Sequence, residues 1–166
     1  MISIESIRRY PFFSGLNLDQ MTILAKVAQE IQAEAGESFF REGDELDKFY
    51  LVVEGSVDIA IGVTDPKKQH SVADQITNNF DLADVTVSTV GIGEIFGWSA
   101  LIPPHHSTAS AVASKSCRVL AFDCEQLRPI LAKDCHFALI MTRKAAQVVR
   151  NRLRDMHVES LAFVSA

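Results

Sequence analysis

Between Gly36 and Phe122 several short runs carry apolar residues at every second position, and this period of two most narrows what the chain can fold into. Phe49, Leu51 and Val53 alternate with Tyr50 and Val52, and Val57, Ile59 and Ile61 alternate with Asp58 and Ala60. Val85 and Val87 alternate with Thr86 and Ser88, and Ala109, Ala111 and Ala113 form another row. Successive side chains of a strand point to opposite faces, so each run reads as a strand with a buried face. Glycines at 36, 43, 55, 62, 91, 93 and 97 punctuate the runs, mostly as turns. Many short strands with turn signals between them predict a barrel-like or sandwich-like β domain.

Helical spacing brackets this region. Asn17 with Gln20 has the pattern of a capping box, and Met21, Leu24, Ala25, Ala28 and Ile31 follow it in a helix expected to end before Gly36. Asp123 with Gln126 caps a short helix expected to end near Lys133, and a longer one should run from about Cys135 to Phe163, roughly 43 Å at the usual rise per residue. Residues 64–84 are polar, contain Asp65-Pro66-Lys67-Lys68, and read as a mobile connection between strands. The expected organisation is a β domain with N-terminal helices over 1–134 and a long C-terminal helix over 135–166.

In that helix Leu139, Thr142, Ala146, Val149, Leu153, Met156, Ser160 and Phe163 fall at alternating three- and four-residue steps. A second apolar line, Phe137, Met141, Ala145 and Val148, accompanies them in the N-terminal half only. One line can pack on the chain's own β domain while the other stays free. A seam that runs past the domain predicts a homodimer through Leu139, Ala146, Val149, Leu153 and Met156. Arg143, Lys144, Arg150, Arg152 and Arg154 read as a solvated basic face, or as partners of the acidic body, rather than as a nucleic-acid surface.

The 166 residues carry a net charge of −5, which disfavours nucleic acid and anionic membranes as partners. The basic Arg8-Arg9 follows a short, interrupted apolar stretch, the reverse of an export signal, and no apolar run is long enough to span a bilayer. Cys117, Cys124 and Cys135 are odd in number and match no zinc pattern, so a cytoplasmic protein with reduced thiols, no metal and no cofactor is expected. No nucleophile elbow, phosphate-binding glycine loop or paired carboxylates point to an enzyme.

The segment Ala35-Gly36-Glu37-Ser38-Phe39-Phe40-Arg41-Glu42-Gly43-Asp44, with Phe49 to Val57 after it, resembles the strand-turn-strand opening of the cyclic-nucleotide-binding domain family. That family includes the bacterial catabolite activator protein and the regulatory subunits of cyclic-AMP-dependent kinase. Pro11 to Leu16, Gly93-Glu94-Ile95-Phe96-Gly97 and the last two helices continue the resemblance. It implies a mainly β fold with flanking helices, a double-stranded β-helix or jelly-roll-like β-roll, followed by a long C-terminal dimerisation helix. It also implies a cassette that cradles a cyclic nucleotide, here Phe96 to Leu101 followed by Pro103 to Ala109, so that Gly97, Trp98, Ser99, His106, Ser107, Thr108 and Ala109 are the candidate ligand-binding residues.

The cassette departs from the family where charge is needed. The ribose-binding glutamate that follows the glycine is replaced by Trp98, and the phosphate-binding arginine by Ser107. No arginine or lysine occurs between Phe96 and Ser114. Three readings follow. Cyclic nucleotide binds weakly, with His106 or an arginine of the last helix supplying charge; the pocket takes a different small effector, with Trp98 as a stacking surface; or Trp98 plugs the cavity and the domain acts through an unknown protein partner. The second and third are preferred, in a free-standing regulatory sensor without its own output. The alternative is the sensor half of a catabolite-activator-like transcription regulator, because Val158 to Phe163 resembles the stretch that precedes a helix-turn-helix domain in many bacterial relatives.

Overall fold

The computed structural model describes residues 2–64 and 82–165. Helix α1 (Ile4–Arg8) and a 3-10 turn (Pro11–Phe13) lead to α2 (Leu18–Val27). Among the described residues eight strands follow: β1 (Ala28–Ala33), β2 (Ser38–Phe40), β3 (Lys48–Glu54), β4 (Val57–Thr64), β5 (Leu82–Val90), β6 (Ile95–Phe96), β7 (Ser110–Ala113) and β8 (Cys117–Asp123). A 3-10 helix (Trp98–Leu101), which we term the cassette helix, separates β6 from β7, and α3 (Cys124–Lys133) and α4 (Cys135–Val164) end the chain. The strands form two antiparallel four-stranded sheets, β1-β8-β3-β6 and β2-β7-β4-β5, which make a β-roll with flanking helices.

Strands β3 and β8 explain why the roll and the helices form one body. Both are apolar at nearly every position, the pattern of strands covered on both faces. Tyr50 and Val52 of β3, with Val119 and Ala121 of β8, point into the roll against Phe96 and Ala111. Phe49 and Leu51, with Leu120 and Phe122, point outward and are covered by Ile7, Phe13, Leu24, Leu127 and Phe137 of the helices. Opposite residues Phe49 and Phe122 stack with ring centroids 4.6 Å apart, and Tyr50 stacks on Phe96 at 4.8 Å. Such ring pairs add about 0.5–1.5 kcal/mol to the burial of their area.

The expected capping box is present: the Asn17 side chain accepts from the Gln20 N–H at 2.9 Å and Gln20 Oε1 accepts from the Asn17 N–H at 3.0 Å. Asp123 caps α3 through the Gln126 N–H at 3.1 Å. The helix after Asn17, however, stops at Val27, and Ala28 and Ile31 belong to β1. Six residues of β1 pair with β8, with Ala28 opposite Phe122 and Ile31 opposite Val119, and this ladder overrides the helical period. A spacing of three puts the two residues on opposite faces of a strand, and Ala28 does pack on the outer core while Ile31 packs on the inner one. Gly62 also differs from expectation: it lies within β4, opposite Asp84. Of the polar connection, Thr64 and residues 82–84 are strand, and 65–81 lie outside the described residues.

Cys124 begins α3 at zero exposure, and burial pushes its thiol up from the ordinary 9.0 to about 12. The folded chain therefore keeps this proton where the unfolded chain has lost it. The resulting stability is complete below about pH 9 and falls as pH rises toward 12, by up to about 1.4 kcal/mol per pH unit. Denaturant unfolding at about pH 8 and pH 10.5 should show a larger alkaline loss for wild type than for Cys124→Ala. Equal losses in the two proteins would contradict this account.

Candidate functional site

The cassette is set by backbone geometry at Gly97. Its φ of +72° is left-handed, a region that favours glycine. A Cβ there would lie 3.1 Å from Tyr50 Cδ2 and 3.2 Å from the Lys48 carbonyl oxygen. Gly97 thus turns the chain out of β6 while lying flat against β3, and Trp98 begins the cassette helix immediately after it. Behind this helix Arg128 of α3 donates from Nη2 to the carbonyls of Leu46, at 2.8 Å, and Ala100, at 3.1 Å. His105 Nδ1 lies 3.2 Å from the Ser99 carbonyl oxygen on the same short turn.

Six of the seven expected ligand-binding residues line one cavity of about 290 Å³: Gly97, Trp98, Ser99, Ser107, Thr108 and Ala109. The volume is at the lower end of the roughly 300–1,000 Å³ common for small-molecule pockets. Trp98 is half-buried at its wall, with open space beside it, so the indole does not fill the cavity. His106 is outside the lining: it is exposed, and its backbone bridges Glu45. Glu94 is also outside this lining. Its carboxylate accepts from the Gly91 N–H at 2.6 Å and closes the turn between β5 and β6.

Ser107 has a different task from the arginine expected at its position. It is buried, and its hydroxyl lies 2.8 Å from the Arg41 carbonyl oxygen and 2.7 Å from that of Ala109, donating to one at a time. Its N–H donates to Asp44 and its carbonyl accepts from Gly43. The side chain is therefore a tie between two backbone segments. Much of the remaining wall is apolar: Ile59 and Ile61 of β4, Val87 of β5, and Phe40 and Leu46.

The remaining wall comes from α4. Val149, Arg152, Leu153 and Met156 fall at i, i+3, i+4 and i+7, one helix face, and all four line the cavity. Val149, Leu153 and Met156 were expected in a dimer seam; Leu139 and Ala146 of that seam are exposed and outside the lining. Phe137 and Met141 are buried in the core that covers the outer face of β3 and β8, and Ala145 is buried as well. Sequence reading allowed an arginine of the last helix to supply charge but did not single out Arg152, because it lay inside a run of basic residues. It is half-buried, and Nη1 donates to Ser88 Oγ of β5 at 2.8 Å. Its place between Val149 and Leu153 in the helical row was the available signal. Lys144, from the same basic run, donates to Ser14 Oγ at 3.1 Å, and burial lowers its pKa.

Among the described residues no cluster of three or more histidine, cysteine or acidic side chains could hold a metal ion. Cys117 and Cys124 are buried and Cys135 is exposed. No described helix is long and apolar enough to cross a membrane.

Residues 30–134 match the cyclic nucleotide-binding domain, and the chain belongs to that family. A solved protein of Geobacter metallireducens GS-15, provisionally titled a cyclic nucleotide-binding protein, is 29% identical with a TM-score of 0.73, over 92% of this chain and 99% of that one. A protein of Rhodopseudomonas palustris, provisionally named a potassium channel protein, is 26% identical over 96% of this chain and 34% of its own length. The cAMP-dependent protein kinase regulatory subunit of Eremothecium gossypii is 31% identical over 72% of this chain and 21% of its own. The chain thus spans about a fifth to a third of these two curated relatives.

Gly97→Ala should cost about 1–3 kcal/mol, from the left-handed backbone and the close approach to Tyr50. It should also shift the emission of Trp98, the single tryptophan of the chain. Thermal melts and fluorescence spectra check both effects, and wild-type stability with an unchanged spectrum would refute the assigned role.

Proposed function

We propose that this chain is a non-catalytic regulatory domain whose cavity binds a small effector other than ordinary cyclic AMP. The observation that carries this reading is the chemistry of the cassette. Trp98 stands where the family's ribose-binding carboxylate is expected, and Ser107, where the guanidinium is expected, is tied to backbone carbonyls. A cyclic phosphate seated in the cassette would lack the guanidinium the family places there, and the one cation of the lining, Arg152, stands instead on the α4 wall, bonded to Ser88. The open volume beside Trp98 favours a ligand over the plugged cavity of a domain that acts by protein contact alone.

Calorimetry should detect no binding of cyclic AMP or cyclic GMP tighter than roughly 100 µM, equivalent to about −5.5 kcal/mol. Trp98→Glu combined with Ser107→Arg should raise the affinity for cyclic AMP in a protein that still melts cooperatively. Native mass spectrometry of freshly purified protein should reveal a retained small molecule. Micromolar binding of cyclic AMP by the unmodified chain overturns the reading.

We further propose that α4 pairs with a second copy of the chain. Leu139, Leu153 and Met156 are 47%, 52% and 42% exposed along one row of this helix, an arrangement suited to a coiled-coil partner. Leu139→Glu with Ala146→Glu probes that row outside the cavity. Sedimentation equilibrium should find a wild-type dimer at tens of micromolar and a folded monomer for the double variant. A monomeric wild type contradicts the pairing.

A further inference from the structure

The effector reading above leaves the ligand's chemistry open, and the walls of the cavity narrow it. Resting on that reading, we infer that the cavity takes a compact apolar carboxylate, an aryl or medium-chain acyl acid, with its carboxylate on Arg152 and its hydrocarbon body between the cassette and the β4–β5 wall.

Three features lead there. First, Ile59, Ile61, Val87, Leu153 and Met156 offer no hydrogen bonds to the hydroxyls of a sugar or the polar edge of a purine. Polar ligand groups set against such walls would lose water without replacement, whereas hydrocarbon gains from the burial. Second, Arg152 is the one charged side chain among the described residues that line the cavity, so the site offers one positive charge to a ligand. Third, the guanidinium is held at the wall by its bond to Ser88, which uses Nη1. A guanidinium carries five N–H donors in a planar fork, so others remain for a carboxylate. Ser88 itself lines the cavity beside Arg152. Trp98, Phe40 and Phe96 supply aromatic surface at the cassette end.

Trp98 is the only tryptophan of the chain, so its fluorescence reports occupancy of this cavity without a label. The experiment titrates octanoate and 4-phenylbutyrate, with octan-1-ol as the neutral counterpart of the first and cyclic AMP as the nucleotide. We expect a saturable change in Trp98 emission with at least one carboxylate. Binding should weaken about tenfold or more for octan-1-ol and for Arg152→Met, with partial recovery in Arg152→Lys, in variants whose circular dichroism and melting match wild type. Equal binding of octanoate and octan-1-ol, undiminished in Arg152→Met, overturns the anion assignment while leaving an effector pocket in place. No saturable response to either carboxylate overturns the ligand class, and the retained-molecule measurement then decides the effector reading separately. Saturation by cyclic AMP alone overturns both.

Discussion

Strand β3 is covered on both faces, and the rest of the molecule is arranged around that constraint. Its odd-numbered residues Phe49 and Leu51 hold the helices, while its even-numbered residues Tyr50 and Val52 fill the roll. The stacks of Phe49 on Phe122 and of Tyr50 on Phe96 fix β3 laterally against β8 and β6. Because β6 runs directly into Gly97, the position of the cassette follows from that of β3. The close approach of Gly97 to Tyr50 and Lys48 carries the same constraint to the edge of the cavity. A register slip of one residue would exchange the two faces and place Phe49 in the space of Tyr50.

The long helix joins the other side of the cavity to the core. Its first turns bury Phe137 and Met141 in the core outside the roll, Ala145 is buried after them, and further along it the row from Val149 to Met156 lines the cavity. Leu153 and Met156 are both lining residues and partly exposed, so they lie at the boundary between interior and solvent. Under the proposed pairing, this places the effector and the second copy on adjoining strips of one helix. Within the cavity Arg152 is the charged group of the helix, and its bond to Ser88 joins the helix to β5.

Much of this architecture could be read from residue order. The alternation in 49–53 and 57–61 marked β3 and β4, and the Asn17–Gln20 and Asp123–Gln126 pairs marked helix starts, because each feature is local. The cassette residues were legible through resemblance, and six of seven line the cavity. What failed was ambiguous at short range. Ala28 and Ile31, three apart, satisfy a helix face and equally the two faces of a strand, and only the distant β8 decides between them. Ile59 and Ile61 alternate in the same way whether they meet a core or a cavity. Arg152 is locally identical to its basic neighbours, and its role depends on Ser88, sixty-four residues away in sequence.

The four-way engagement of Ser107 bears on which neighbouring sequences this chain can reach. Its hydroxyl, N–H and carbonyl join Arg41, Gly43, Asp44 and Ala109. An arginine at this place could reach toward a cyclic phosphate, but its arrival would remove the hydroxyl and leave the part-buried carbonyls of Arg41 and Ala109 without that donor. The loss of stability would come at the first step, before a second change could supply a ribose partner. Substitution order therefore matters: the tie must be replaced elsewhere first, or both changes must come together. On the proposed reading, the serine would act as a ratchet on the chain's evolution, holding ligand preference in place through a residue whose side chain is spent on backbone.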